Sequence, residues 1–283
     1  MEQIQVAEKS VAVVGCGWFG FALAKHLVEK GFRVTGAKQQ LDSLTALRDV
    51  GIDAYQLQLG EDADVIPNLA QLSGLFETDF LVVNIPPRLK QGNSNYLNEL
   101  KLLLALTQNR QYQGIIFIST TGVYPTESKT MTEADARAES QSAQILLDAE
   151  ALFGGKPETC VVRFAGLVGP KRHPGRFFAG KTDVSGGNAA VNLVHIEDCV
   201  AAVTQIIEAK AQGIPVAAIY NVCAPQHPTR AEFYTQAAED LGLIAPTFNQ
   251  VEMPSKIISS EAFQADLHFR YRFASPLEML AAC

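Results

Sequence analysis

Features that would place a chain in a membrane or outside the cell are missing from this sequence. No apolar run reaches the roughly 18 residues that a membrane-spanning helix requires. The first ten residues, MEQIQVAEKS, lack the basic and apolar segments of a secretory signal. We therefore expect no membrane partner and a cytoplasmic location.

Cysteine is scarce, with five residues in a chain of 283. None forms a Cys-x-x-Cys motif, and none stands near histidine at the spacing of zinc ligands. An odd number of cysteines without such spacing is typical of free thiols in a reducing compartment. We expect neither disulfides nor a metal site.

Positive charge is in the minority, since 23 Lys and Arg residues face 30 Asp and Glu residues and the net charge is −7. This balance argues against a nucleic-acid partner, because surfaces that bind nucleic acid are usually basic. The remaining composition, 47% hydrophobic and 19% charged, is that of an ordinary globular protein. An acidic chain can still hold an anion where backbone N–H groups converge at a helix N-terminus.

Short apolar runs alternate with amphipathic segments along the first half of the chain. We predict strands at residues 11–14, 32–36, 54–57, 80–85, 115–119 and 160–164. We predict helices at residues 21–30, 41–50, 96–108 and 141–153. Strands separated by helices pair in parallel through right-handed crossovers, and apolar strands are typical of sheets covered on both faces. The fold class is therefore α/β, with a doubly wound parallel sheet.

The pattern loosens after residue 164. Residues 166–187 are rich in Gly, Pro and basic residues and are predicted as loop. A helix at residues 196–211, a strand at 218–222 and a helix at 229–241 follow. We predict that residues 166–283 add to the sheet and form a small C-terminal substrate lobe that does not fold independently of residues 1–165.

A glycine loop, residues 15–20, follows the first predicted strand and opens the first predicted helix. Gly15, Gly17 and Gly20 have the spacing Gly-x-Gly-x-x-Gly. Here the first glycine permits a tight turn, the second lets a pyrophosphate approach the backbone, and the third lets helix and strand pack closely. We predict a Rossmann-type, NAD(P)-binding domain in residues 1–165. An ordinary glycine turn, a flavin site and an S-adenosylmethionine site are the alternatives.

Residues at the ends of the strands select the cofactor. NAD-specific folds place Asp or Glu after the second strand to bind the ribose hydroxyls, whereas this sequence has Gly36-Ala37-Lys38-Gln39-Gln40. Lys38 can meet a 2′-phosphate, which favours NADP; a solvated Lys38 leaves NAD open. Trp18 and Phe19 are expected to cover the cofactor or to pack the first helix. Further cofactor contacts are expected at Asn84, Pro86, Ser119 and Ala165.

Four later segments carry a family pattern. They are Ser119-Thr120-Thr121-Gly122-Val123-Tyr124-Pro125, CVVRFAGLVGP at residues 160–170, VNLVHIEDC at 191–199, and Tyr220-Asn221-Val222. In this order they resemble the extended short-chain dehydrogenase/reductase family, also called the NAD-dependent epimerase/dehydratase family. The resemblance implies a nucleotide-sugar or other small-molecule substrate, with a homodimer as one candidate assembly.

The sequence departs from that family in its glycine loop, which is one residue shorter, and in its catalytic Tyr-x-x-x-Lys pair. No Tyr occurs between Tyr124 and Tyr220, and no Lys between Lys129 and Lys156. In the family, the tyrosine transfers protons and the lysine lowers its pKa. This departure places the chain in an atypical branch.

The positions of the missing pair follow from one match. When Asp148-Ala149-Glu150 is matched to the Ala-Ala-Glu segment of the family, Ser142 takes the tyrosine position and Leu146 the lysine position. Neither side chain can perform the chemistry of the pair.

Hydroxyl groups remain where the family contacts a substrate oxygen. Thr120 and Thr121 match that position and, with Tyr124, form the candidate catalytic set. The substitute acid could be Tyr124, Glu133 or His195. The alternatives are that Tyr124 is a packed loop aromatic and that His195 orients the backbone beside a strand.

The densest positive cluster, residues 171–176, lies where the family places its substrate lobe. Arg172 and Arg176, with His195, are therefore candidate ligands of an anionic substrate; the alternative is a solvated loop. Asp198 is predicted to cap the helix that begins near it.

Two functions stay open. The first is an NADP-dependent oxidoreductase or sugar-nucleotide-type epimerase of atypical mechanism, favoured by the crevice hydroxyls and the basic loop. The second is a non-catalytic NADP-binding redox sensor or scaffold, favoured by the missing pair. A small Rossmann reductase with a helical second domain is a third reading, and the strand-rich second half argues against it.

Overall fold

Strands and helices alternate along the chain in the computed structural model, which describes residues 9–60, 69–89 and 95–283. The strands in these ranges are β1 (Ser10–Val14), β2 (Arg33–Lys38), β3 (Asp53–Gln56), β4 (Phe80–Val83), β5 (Gly114–Thr120), β6 (Thr130–Met131), β7 (Thr159–Phe164), β8 (Gly166–Val168), β9 (Leu193–His195), β10 (Ile219–Val222) and β11 (Ile257–Ile258). The helices are α1 (Trp18–Glu29), α2 (Thr45–Arg48), α3 (Leu69–Phe76), α4 (Tyr96–Thr107), α5 (Gln141–Gly154), α6 (Ile196–Ala211), α7 (Arg230–Glu239), α8 (Glu261–Leu267) and α9 (Pro276–Met279). Residues 1–8, which contain most of the segment read for a secretory signal, lie outside the described residues.

The main sheet has seven strands in the order β10-β7-β5-β4-β1-β2-β3. β1 pairs in parallel with β2 on one side and with β4 on the other. The strand order thus reverses between β1 and β4, and open sheets bind ligands outside the carboxyl ends of strands at such a switch point. The predicted α/β fold with a doubly wound parallel sheet is confirmed.

Burial explains why the central strands read as apolar runs. All residues of β1, β4 and β7 are buried, as expected for a parallel sheet covered by helices on both faces. Helix α1 covers the sheet with one stripe, buried at Phe19, Leu23, Ala24 and Leu27. These positions recur at the three- and four-residue spacing of a helix face.

The chain divides into two compact units. The first contains Met1–Ile118, Asp148–Val161 and Val203–Ala218, and the second contains Ser119–Leu147, Val162–Ala202 and Ile219–Cys283. In the first unit, the rings of Phe117 and Phe153 stack with centroids 4.8 Å apart. The two-strand sheets β11-β6 and β8-β9 belong to the second unit. The predicted boundary near residue 165 stays a prediction.

Several local predictions needed correction. The second strand runs on to Lys38, and the helix predicted at residues 41–50 is a 3-10 turn, Leu41–Ser43, followed by the short α2. The hydroxyl of Ser43 donates to the carbonyl of Gln40, which favours the turn over a continuous helix. No bounds were predicted for helices α3, α8 and α9 or for strands β6, β9 and β11, and β8 lies in residues 166–187, which were predicted as loop.

Helix α3 contains Gly74, where an added Cβ would lie 2.3 Å from the hydroxyl oxygen of Tyr55, so the Tyr55 side chain would have to move to make room. Within the described ranges no helix is both long and apolar enough to cross a membrane. The described residues also hold no cluster of three or more His, Cys, Asp or Glu side chains suited to a metal ion.

Candidate functional site

The turn after β1 requires glycine at its first position. Gly15 has φ +100°, in the region that residues with a side chain rarely adopt. A Cβ there would lie 2.2 Å from the carbonyl oxygen of Asn84, which follows β4. The backbone of β4 therefore passes directly against the turn.

Gly20 brings helix and turn together. A Cβ at Gly20 would lie 2.2 Å from the carbonyl oxygen of Gly15 and 2.9 Å from Nδ2 of Asn84. The Asn84 amide donates a 2.8 Å hydrogen bond to that same Gly15 oxygen. Asn84, predicted to contact a cofactor, thus lies against the glycine loop and supports it.

Gly17 is open to the outside of the loop. It is exposed, it is the N-cap of α1, and a Cβ there would meet no atom within 4 Å. The first turn of α1 contains no acidic side chain. A helix N-terminus without nearby carboxylates favours an anion through its backbone N–H groups and its partial positive charge.

The other side chains of the glycine loop are less open. Phe19 is buried and belongs to the core, and Trp18 is half-buried. The thiol of Cys16 donates to the carbonyl of Val13 at 3.3 Å. Burial raises the pKa of this thiol to about 12, against the lowering effect of a backbone hydrogen bond from Ala37 and of Lys38. Cys16 is therefore a neutral packing residue and no nucleophile at neutral pH.

Lys38 is the last residue of β2, and its ammonium lies 5.8 Å from the ring centroid of Phe21 in α1. The next residue, Gln39, is exposed, and its side-chain oxygen accepts a 3.4 Å hydrogen bond from Nη1 of Arg88. The sequence analysis missed Arg88. Pro86, a predicted cofactor contact, is exposed two residues before it.

The hydroxyl residues stand at the end of β5. Ser119 is buried, and Oγ1 of Thr120 accepts a 3.3 Å hydrogen bond from the Gly122 amide. Thr121 begins a 3-10 turn and is half-buried. These contacts leave the Thr120 hydroxyl its own proton to donate.

Ser142 and Leu146, the residues predicted at the positions of the family's catalytic pair, both lie in α5. Cδ1 of Leu146 lies 3.4 Å from the position of a Cβ on Gly122, so this helix position faces the end of β5. Ser142 is exposed one turn earlier. That Ser142 and Leu146 take the place of the family's catalytic pair stays a prediction.

Tyr124 lies in a buried polar network. Its hydroxyl donates to Oδ1 of Asn221 at 2.6 Å and accepts from Nη1 of Arg163 at 2.8 Å. Arg163 also donates to the backbone carbonyl of Glu133. The carboxylate of Glu133 accepts from the backbone amide of Asn221. Burial raises the pKa of Tyr124, against the lowering effect of Arg163 and Asn221. The hydroxyl proton is committed to Asn221, so this geometry favours a packing role over proton transfer.

Lys256, which was not among the predicted site residues, contacts the backbone of the same loop. Its ammonium donates a 3.1 Å hydrogen bond to the carbonyl of Tyr124. Burial lowers the pKa of this amine, and the charge of Glu139 opposes that shift. The Asn192 side chain fixes the backbone on both sides of Ile257, the next residue, by donating to the Lys256 carbonyl at 2.9 Å and accepting from the Ile258 amide at 2.8 Å.

His195 anchors the C-terminal segment. It is fully buried, its Nδ1 accepts from the Glu197 amide at 3.3 Å, and its Nε2 lies 3.3 Å from the carbonyl of Ala282. This pattern fits the tautomer with a proton on Nε2, which donates to Ala282. The ring lies 4.3 Å from that of Phe273. Both ring nitrogens therefore have protein partners.

The predicted cap at Asp198 was wrong. Asp198 lies inside the first turn of α6, and its two carboxylate oxygens accept from the backbone amides of Arg272 and Phe273 at 2.7 and 3.2 Å. It therefore holds the C-terminal segment rather than capping α6. Burial raises the pKa of this carboxyl, and those two hydrogen bonds oppose the shift.

The basic cluster is exposed at Arg172 and Arg176. Nδ1 of His173 accepts from the Gly175 amide at 3.0 Å and caps the turn that contains Arg176.

Ala165, the last predicted cofactor contact, is buried, and its amide donates to the carbonyl of Val222. Among the predicted site residues of the first unit, Gly15, Gly17, Gly20 and Asn84 are brought together.

No protein-family model matches the chain. Protein YeeZ of Escherichia coli strain K12 is 39% identical to it over 277 residues, which cover 96% of this chain and 98% of YeeZ. The chain belongs to the YeeZ family. YeeZ of Escherichia coli O157:H7 has the same identity and coverage.

Solved structures share the fold over almost the whole chain. A protein from Methylobacillus flagellatus, provisionally classed as an NAD-dependent epimerase/dehydratase, has a TM-score of 0.78 at 21% identity and covers 97% of both chains. UDP-glucose 4-epimerase from Thermotoga maritima, solved with UDP-glucose, has a TM-score of 0.74 at 15% identity over 96% of both chains. The corresponding enzyme from Bifidobacterium longum, solved with NAD+ and UDP, has a TM-score of 0.73 at 14% identity over 97% of this chain and 96% of its own. At these identities the likeness shows the fold.

Proposed function

We propose that this chain binds a nicotinamide dinucleotide at the glycine loop and acts as an oxidoreductase or epimerase of atypical mechanism on a nucleotide sugar or a similar small anionic substrate. The observation that carries the proposal is the fit of the three glycines. Gly15 and Gly20 have no room for a Cβ against Asn84 and Gly15, whereas Gly17 has open space on its outer side. This is the cradle that a pyrophosphate needs.

The bound dinucleotide would supply hydride transfer. The chain would hold its pyrophosphate at the N-terminus of α1, next to Gly17, and its adenosine ribose near Lys38. Trp18, Pro86, Ser119 and Ala165 stay proposed contacts, and Phe19 is buried in the core. NADP is the preferred cofactor in this proposal because the end of β2 carries a cation and no carboxylate.

The substrate would be held by residues of the second unit. Thr120 and Thr121 donate hydrogen bonds to a substrate oxygen in this proposal, and Arg172 and Arg176 bind its anionic part. Tyr124 and Lys256 position the loop that follows β5, since their contacts are with other parts of the chain. His195 positions the C-terminal segment. We further propose a cytoplasmic location and a homodimer.

The second candidate is a redox sensor or scaffold that binds the dinucleotide without turnover. Leu146 favours it, because an apolar side chain faces the end of β5 where the family pattern expects a charged one. The enzyme stays the first candidate because Thr120 keeps a hydroxyl proton to donate.

A fluorescence titration tests the proposal, because Trp18 is the single tryptophan of the chain and lies in the glycine loop. NADPH and NADH should quench Trp18 emission at micromolar concentrations. Gly17→Val should abolish the quenching and leave the unfolding curve unchanged, because a Cβ at Gly17 meets no protein atom. Gly154→Val, at an exposed glycine that also has open space, is the matched control and should bind as the wild type does.

Turnover is measured next, as a change in nicotinamide absorbance or as product formation with UDP-glucose, dTDP-glucose and small carbonyl compounds. Binding with turnover supports the enzyme, and binding without turnover across the panel supports the sensor. A wild-type chain that binds neither dinucleotide contradicts both.

A further inference from the structure

The segment after β4 places an arginine, Arg88, at the end of β2. In the sheet, β4 neighbours β1 and β1 neighbours β2. Asn84 contacts Gly15 at the end of β1, and Arg88 contacts Gln39 just beyond β2. Residues 84–88 therefore run from the end of β4, past the glycine loop, to the end of β2.

The backbone of this segment fixes where Arg88 stands. Pro86 and Pro87 precede it, and proline locks φ near −65°. Arg88 itself has φ +47°, a conformation that residues with a side chain adopt only rarely. Its guanidinium then reaches the side-chain oxygen of Gln39 at 3.4 Å. Strained backbone conformations of this kind cluster at functional sites.

A second cation lies on the adjoining residue. The ammonium of Lys38 lies 5.8 Å from the ring of Phe21, whose amide donates to the carbonyl of Gly17. Lys38 thus lies beside the first turn of α1, next to the glycine loop. The ion pairs of the described residues do not include Lys38 or Arg88.

The geometry points to a phosphate monoester site formed by Arg88 and Lys38, with Gln39 orienting the guanidinium, which binds the 2′-phosphate of NADP. This inference rests on the proposed dinucleotide binding and adds the residue that selects between the two dinucleotides. A phosphate monoester carries about −1.5 to −2 charges at neutral pH and offers oxygen acceptors, which suit a planar guanidinium and an ammonium. The ribose diol of NAD donates hydrogen bonds and would need an acceptor such as a carboxylate.

Substitution of the arginine measures its share of this selectivity. Arg88→Gln should lower the affinity for NADPH about tenfold or more, which is the loss expected for a charged hydrogen bond to phosphate. NADH affinity should change less than twofold, because its ribose carries no phosphate. Lys38→Gln should act in the same direction. Arg48→Gln, which removes an exposed cation of α2 in the same unit, is the matched control and should leave both affinities unchanged.

Two small probes separate phosphate recognition from binding of the rest of the cofactor. Wild-type chain should bind 2′,5′-ADP more tightly than 5′-AMP, and Arg88→Gln should remove most of that difference. The inference is overturned if wild type binds NADH as tightly as NADPH, or if Arg88→Gln weakens both dinucleotides equally or neither of them. If Gly17→Val binds neither dinucleotide and the wild type prefers NADPH, both the proposed function and this inference are supported. If the wild type itself binds neither dinucleotide, both are overturned.

Discussion

The side-chain amide of Asn84 donates a 2.8 Å hydrogen bond to the carbonyl oxygen of Gly15 and so joins the end of β4 to the turn that follows β1. The same Gly15 oxygen lies 2.2 Å from where a Cβ of Gly20 would stand. Asn84, from a distant part of the chain, and Gly20, from the same loop, thus both lie against one carbonyl. The shape of the glycine loop depends on this arrangement as well as on the glycines themselves.

Removal of the amide should loosen the loop. We expect Asn84→Ala to lower the free energy of unfolding by about 1 kcal/mol, because the Gly15 carbonyl loses one of its donors and keeps the Gly17 amide. NADPH affinity should fall several-fold with it, since the loop that receives the pyrophosphate is less well fixed. Urea unfolding and Trp18 fluorescence measure the two effects. Asn109→Ala, at an exposed asparagine after α4, is the control and should change neither.

Two glycines of the loop should lose very different amounts of stability when the same methyl group is added. Gly20→Ala places a Cβ against the Gly15 carbonyl, and the backbone must shift, so we expect a loss of at least about 2 kcal/mol of unfolding free energy. Gly17→Ala adds a Cβ where no atom lies within 4 Å, and stability should change by less than about 1 kcal/mol. Urea unfolding compares them, and equal losses at both positions would contradict this assignment of roles.

Tyr124→Phe distinguishes a packing role from a catalytic one. The substitution leaves Asn221 and the buried Arg163 without the hydroxyl that joins them, and we expect a loss of about 1–3 kcal/mol of unfolding free energy. NADPH affinity should be unchanged. In a packing role kcat should change little, whereas a fall of kcat by orders of magnitude would show that Tyr124 is the proton donor.

Local sequence patterns were sufficient for the first part of the site. The strand β1, the glycine loop and α1 adjoin in the chain, and their apolar periodicity and glycine spacing act over a few residues. Contacts between distant residues were not predictable in this way. Tyr124 is 39 residues from Arg163 and 97 from Asn221, and no short pattern signals that these three side chains meet.

Arg88 and Lys256 were missed for the same reason. Each lies in a segment without a motif, and each gains its meaning from a partner that only the tertiary structure supplies, Gln39 for Arg88 and the carbonyl of Tyr124 for Lys256. The signal that could have drawn attention to Arg88 is its place directly after Pro86-Pro87, where the chain leaves a strand next to the switch point.

His227 should make stability depend on pH. Burial lowers the pKa of this imidazole below its usual 6.5, although a hydrogen bond between its Nδ1 and the Val191 carbonyl opposes the shift. The unfolded chain then takes up a proton at a higher pH than the folded chain does. Stability contributed by the neutral ring is therefore complete above pH 6.5 and is lost as the pH falls from 6.5 through the lowered pKa. Urea midpoints between pH 8 and pH 5 should decline, and the decline should be shallower in His227→Asn, whose amide can replace the Nδ1 donor. An unchanged slope in His227→Asn would contradict this prediction, because other groups would then set the pH dependence.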